Sequence, residues 1–166
     1  MNREVIKQII ALIGKAHGLA ASIGIPNLLQ PGLVKEMIVA DLLGHQLISS
    51  KRDADACDPN NPAIKFEYLS CKEGGSGQLD RMFKEPPEKR RESLERITRN
   101  SKIYFAVFYR ANQIRVKRIY EIEPDVLLKE TVRQLDRSRN AISHVGFSED
   151  WARQNGKLVY QDQTEE

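Results

Sequence analysis

At 166 residues, 40% of them hydrophobic and 30% charged, the chain is long enough for one hydrophobic core. Its composition excludes a disordered tail, a collagen-like repeat or a small disulfide scaffold. No apolar run approaches the roughly 20 residues that a membrane-spanning helix needs. The net charge of +3 does not by itself mark a nucleic-acid binder.

The opening Met1-Asn2-Arg3-Glu4 leads directly into an amphipathic pattern rather than a secretory core, so a cytoplasmic protein with no membrane partner is expected. Cys57 and Cys71 lack metal-type spacing and are expected to be reduced thiols. Residues 3–23 carry Val5, Ile9, Ile10, Leu12, Ile13 and Ala16 as a helical stripe, with Asn2 as N-cap and Gly24 as stop. Pro31 opens a second helix, striped by Val34, Met37, Ile38, Leu42 and Leu43 and ended by Gly44. A short strand is expected over Leu47 to Ser49, and an acidic, turn-rich segment over Asp53 to Pro62.

Ile64 to Lys72 reads as a strand, and Glu73 to Gln78, with three glycines, as a flexible loop. Pro86 and Pro87 open a basic helix through about Asn100. Ile103 to Tyr109 is nearly continuous apolar, as for a central strand buried on both faces. Asn112 marks a turn, and Ile114 to Ile122 alternates as a half-buried strand. Pro124 starts a helix ending near Ser138. Ile142 to Phe147 and Lys157 to Tyr160 are short strands around a small helix holding Trp151, and residues 161–166 form a frayed tail. The expected fold is α/β or α+β, a central mixed sheet flanked by helices in one domain over residues 1–160. Within it, residues 1–48 form a helical part, 49–122 a core and 123–160 a C-terminal part.

Basic residues fall into three groups: Lys84, Lys89, Arg90, Arg91, Arg96 and Arg99; Arg115, Lys117 and Arg118; Arg133, Arg137 and Arg139. Each alone could be a solvated face; three around a polar Gly-rich segment favour a phosphate-backbone footprint. Phosphodiester hydrolysis needs carboxylates to hold a divalent cation and a cation facing the phosphate. The sequence offers Asp53, Asp55 and Asp58 in the turn, then Ser70 and Lys72 two apart on one strand face, with Glu36 in the second helix. Turn aspartates are also ordinary turn formers, and a strand-end lysine is ordinarily solvated.

The turn Asp55-Ala56-Cys57-Asp58 with the strand Glu67 to Lys72, the runs IYFAVFYR (Ile103 to Arg110) and IRVKRIYEIEP (Ile114 to Pro124), and more loosely Asn140 and NGKLVY (Asn155 to Tyr160), together resemble the PD-(D/E)xK restriction endonucleases, most closely their small homodimeric type II members. The resemblance covers most of the chain in order. It implies the restriction-endonuclease fold and Mg²⁺-dependent, site-specific cutting of double-stranded DNA. It also implies a homodimer joined through the N-terminal helix and the Leu28-Leu29-Gln30 turn, and a DNA methyltransferase encoded nearby. Asp55 matches the first metal aspartate and Lys72 the catalytic lysine. Ser70 stands where the family usually has Glu, Asp or Gln, so the second metal carboxylate must come from elsewhere: Glu36 first, then Glu85 just downstream, then Glu67 if a bulge reverses the strand's facing.

In this resemblance the segment Glu73 to Arg81 occupies the base-reading position. Gly74, Gly75 and Gly77 would permit close approach to DNA, Ser76 and Gln78 would reach base edges, and Arg81 a guanine or phosphate. Asn140 would contact the major groove, with His144 beside it, while Arg90, Arg91 and Arg96 would add only affinity. His17 and His45 are not expected to be ligands, and Trp151, Tyr104, Phe105 and Phe108 are expected in the core. Three other readings remain: a Holliday-junction or repair nuclease of the same fold, a degenerate protein that only binds DNA, and an interaction protein without enzymatic activity.

Overall fold

The computed structural model describes residues 2–48 and 53–164. Helix α1 spans Arg3–Ser22, and the Asn2 side chain accepts from the N–H groups of Glu4 and Val5, satisfying two donors that a helix start leaves open. Helix α2 spans Leu33–Leu43. Gly44 ends it at φ 67°, a left-handed conformation that costs glycine nothing. The remaining elements are β1 (Gln46–Leu47), β2 (Ala56–Asp58), β3 (Asn61–Lys72), β4 (Ser76–Phe83), α3 (Pro87–Thr98), β5 (Lys102–Phe108), β6 (Val116–Ile122), α4 (Pro124–Arg137), β7 (Ile142–Ser148), α5 (Glu149–Asn155) and β8 (Lys157–Gln161). The strand expected over 47–49 begins one residue earlier, and Ser49 lies outside the described residues.

Among the described residues, six strands form one sheet in the order β1-β2-β3-β5-β6-β8. Strands β3 and β5 are parallel, joined by the crossover containing α3; the other neighbours are antiparallel. The fold is thus mixed α+β, with a central mixed sheet flanked by helices. Strand β5 is buried from Ile103 to Phe108, which accounts for its unbroken apolar wording. Its odd positions, Ile103, Phe105 and Val107, face one core together with Leu69, Ile97, Leu127 and Leu135. Its even positions, Tyr104, Ala106 and Phe108, face Val39 and Ala40 of α2 on the other side. The aromatic residues expected in the core are there, Trp151 packed partly buried against it.

Two expected loops are more ordered than their composition suggested. The turn-rich segment contains β2, and Asp58 folds its side chain onto the N–H groups of Asn60 and Asn61 to close the β2–β3 turn. The glycine-rich segment is a turn only over residues 73–75; from Ser76 it pairs antiparallel with β7 as a two-stranded ribbon. Gly77 is buried there, and a Cβ on it would lie 2.8 Å from Cε2 of Phe105. Its missing side chain lets the ribbon lie against the main sheet, where a free approach to DNA was expected. Gly77→Val should therefore destabilise the fold by about 1–3 kcal/mol, as overpacking does, whereas Ser76→Ala on the exposed face should leave the thermal midpoint nearly unchanged. Equal midpoints for the two variants would contradict the packed ribbon.

Candidate active site

A cleft of about 480 Å³ opens where β2 and β3 meet α2 and α3. Asp55 reaches it from just before β2, Glu67 from β3, Glu36 from α2, and Arg96 and Arg99 from α3 and its C-cap. The β2–β3 pairing makes this meeting unavoidable. Asp55 donates its N–H to the Phe66 carbonyl at 3.1 Å, and its Oδ2 accepts from the Tyr68 N–H at 2.7 Å. Glu67 lies between those two partners, so the backbone that clamps Asp55 also carries Glu67.

Burial is the largest influence on both carboxyls. It pushes Asp55 up to about 6, against the Tyr68 hydrogen bond and the charges of Arg99 and Arg96. It pushes Glu67 up to about 8, assisted by the negative charge of Asp55 and opposed by Arg99 and Arg96. Glu67 Oε2 is buried and accepts no hydrogen bond among the described residues; Arg99 Nη2 lies 3.8 Å from it. Two carboxyls partly out of water, each holding its proton above the ordinary range because ionising both is costly, form a site whose ionised state an added cation would favour.

The three turn aspartates are distinguished by their partners. Asp53 is taken by Lys65 at 2.6 Å, which holds its carboxyl below the usual range, helped by the Ala54 N–H. Asp58 is a turn former. Asp55, half-buried, is the one of the three whose carboxylate accepts from the β3 backbone, at the Tyr68 N–H beside Glu67. Glu36 borders the cleft but folds toward its own helix start, where a Cβ on Gly32 would be 2.8 Å from its Oε1. As the side chains stand, no three His, Cys, Asp or Glu residues among the described ones are close enough together to hold a metal ion. Asp55 and Glu67 fit as a carboxylate pair, with Glu36 within the same cleft.

The other expected site residues are elsewhere. Ser70 shares its strand face with Phe66 and Tyr68, away from Glu67, and exposed Lys72 ends the strand; neither lines the cleft. Glu85 is exposed beside Pro86 in a separate groove. Glu67 needs no bulge to face the cleft: ordinary alternation from Leu69 puts it there. Arg96, expected only to add affinity, borders the cleft, while Arg90 is paired with Asp136.

Ser76 and Gln78 lie on the exposed face of β4, and Arg81 is exposed at a bulge with φ 52°. His144, exposed on β7, meets Asp80 Oδ1 through Nδ1 at 2.8 Å, and Asp80 also borders the cleft. Asn140 is exposed in the turn before β7, donating its N–H to Ser138 Oγ. His45 is held by the Tyr68 hydroxyl at 2.8 Å and stacked on Phe66, a packing role. Comparison with protein-family models gives no match, and comparison with curated proteins gives none.

Because Glu67 and Asp55 bind protons more tightly folded than unfolded, the stability they contribute is present at low pH. It declines as pH rises from the ordinary carboxylate range through about 8. Glu67→Gln should therefore raise the melting temperature in metal-free buffer at pH 8 by a few degrees, at ~2–4 °C per kcal/mol for a chain this size. The gain should shrink toward pH 5, where the parent Glu67 is already neutral. A variant less stable than the parent at pH 8 would show that the pair is not strained by its own charge.

Proposed function

We propose that this chain is a Mg²⁺-dependent endodeoxyribonuclease of the restriction-endonuclease type. The observation that carries the reading is the half-buried carboxyl pair of Asp55, one residue before β2, and Glu67 on β3, with Glu67 Oε2 itself out of water, in an open cleft bordered by arginines. Asp55 and Glu67 would hold the Mg²⁺, and Glu36, which borders the same cleft, would join them only by turning from Gly32. When bound, the ion lowers the pKa of a coordinated water and offsets charge on the phosphate. The protein's own contribution is orientation: the Tyr68 N–H fixes Asp55, and β3 fixes Glu67.

The ribbon supports a DNA substrate. Gln78 and His144 present hydrogen-bonding groups on an outer face that reaches the cleft rim at Asp80. A two-stranded ribbon fits the major groove, where base edges are distinguishable. Ser76, Arg81 and Asn140 stand near it as further contacts. A cognate methyltransferase would protect the host's copies of the site.

A homodimer follows from the need to cut two strands with one cleft per chain. Helix α1 supports it, since Ile9, Ile10, Leu12 and Leu19 are 50%, 63%, 64% and 72% exposed. The double variant Ile9→Glu with Leu12→Glu should sediment as a monomer and nick rather than linearise plasmid. A parent chain that is monomeric at micromolar concentration yet linearises plasmid would exclude the dimer.

A second reading, a protein that binds DNA without cutting it, is favoured by the cleft's cations, since its described lining holds two arginines and no lysine. Incubation with plasmid and phage DNA separates the two. The nuclease gives discrete fragments with Mg²⁺ and none with chelator, and Asp55→Asn abolishes cutting while leaving DNA binding. Lys72→Ala, outside the cleft, should cut within a few-fold of the parent rate. Absence of any cleavage by the parent, with specific binding retained, would establish the second reading.

A further inference from the structure

On the strand that carries Glu67, the positions sharing its face are committed. Lys65, two residues before, is bound to Asp53 at 2.6 Å. Leu69, two residues after, is 4% exposed and packed in the core. The strand therefore delivers no further cation to the carboxylate pair. The cations that border the cleft come from α3 and its end. Arg96 donates to the Asp80 carbonyl at 3.1 Å and so ties the helix to the ribbon. Arg99 donates from Nη2 to the Asp53 carbonyl at 2.8 Å, on the side of the cleft where Asp55 stands, and the same atom is 3.8 Å from Glu67 Oε2. This is too long for a hydrogen bond and short enough for strong attraction. Nη2 is tethered by the Asp53 carbonyl beside the carboxylates, and the planar guanidinium fork has the geometry to pair with two phosphate oxygens.

We infer that Arg99 is the catalytic cation of this cleft, donating to a non-bridging oxygen of the scissile phosphate as charge builds on it. The inference rests on the nuclease reading. In the step, a bond forms between a water oxygen and phosphorus, and the bond from phosphorus to the leaving sugar oxygen breaks with its electron pair. The attacking water gives its proton to solvent, and the leaving oxygen takes one from solvent. Arg99 keeps its protons throughout, because a guanidinium does not deprotonate in the working range. It therefore stabilises charge and cannot be the base, unlike a lysine ammonium, whose pKa shifts readily when buried.

Single-turnover cleavage and DNA binding, measured side by side, test this. Arg99→Ala should cut about 10²–10³-fold more slowly, the loss expected for one preorganised donor to a developing oxyanion. Its affinity for DNA with Ca²⁺ in place of Mg²⁺ should change less than about tenfold, and the rise in melting temperature with added Ca²⁺ should persist. Guanidinium chloride at millimolar concentration should restore part of the rate to Arg99→Ala and none to Asp55→Asn. If Arg99→Ala does not fold, Arg99→Lys carries the test: it keeps the charge and loses the fork, so it should retain metal and DNA binding and cut more slowly than the parent. A parent that cuts, with either variant folded and cutting at the parent rate, overturns the role of Arg99 alone. A parent that cuts no DNA with Mg²⁺ overturns the nuclease reading and this role with it. Loss of Ca²⁺ stabilisation in Arg99→Ala would make Arg99 a support for the carboxylates and also overturn the assignment.

Discussion

The hydrogen bond from the Tyr68 N–H to Asp55 Oδ2 holds the cleft together, because it makes one short piece of backbone serve two carboxyls. A side chain that accepts from a neighbouring strand at the point where the ladder would otherwise continue is drawn in against that strand, and Asp55 is half-buried there. Glu67, one residue before Tyr68, is then brought beside it by the pleat. The rest of the local structure accommodates that meeting. Asp58 closes the turn so that β2 returns in the right register, Lys65 neutralises Asp53 at the mouth, and Arg99 reaches back to the Asp53 carbonyl. Ionising both carboxyls side by side, partly out of water, is unfavourable in a metal-free fold, and Glu67 therefore keeps its proton far above the ordinary carboxylate range. That cost, with Glu67 Oε2 lacking a hydrogen-bond partner, gives the cleft a chemical direction rather than a merely structural one.

Much of the fold was legible in the sequence because its signals are local. Asn2 and Gly44 bound helices by cap chemistry, Pro87 and Pro124 start them, and the apolar run of β5 could only be a strand covered on both faces. Residues 76–83 were less legible. Three glycines read as flexibility, but the conformation of Gly77 is set by Phe105 of a strand some thirty positions away, a contact that no window on the sequence contains. The β2 segment was hidden for a similar reason: Asp, Pro and Asn mark the turn after it and mask the three residues that pair.

The cleft was half legible. Asp55 stood out as one of three acidic residues before a strand, and which of the three turns inward depends on partners in β3 that composition does not reveal. Glu67 was ranked last among the second carboxylates because a family spacing was laid over Ser70 and Lys72. Plain strand alternation would have put Glu67 on the face of Leu69 and Cys71, but with apolar residues on both faces nothing in the wording says which face holds the cleft. In the sequence Arg96 and Arg99 belong to a basic group that reads as a phosphate-backbone footprint rather than as part of the cleft. Their placement at the cleft follows from the crossover, which packs α3 against β4 and α4, a feature of topology.

The division of β3 explains why a cation should reach the carboxylates from a helix. From Leu69 onward the face that carries Glu67 belongs to the main core, against Phe105 and the ribbon's Leu79 and Gly77. A lysine in place of Leu69 would have to bury an ammonium where the ribbon packs or push the ribbon off the sheet, and an unpaired buried charge is among the costliest things a core can hold. The ribbon that carries Gln78 and His144 and the presence of Leu69 rather than a lysine two residues after Glu67 are thus linked consequences of one packing choice. Seating β4 and β7 tightly on the sheet brings their outer face to the cleft rim at Asp80, and it leaves the end of α3 as the element that can supply positive charge to Asp55 and Glu67.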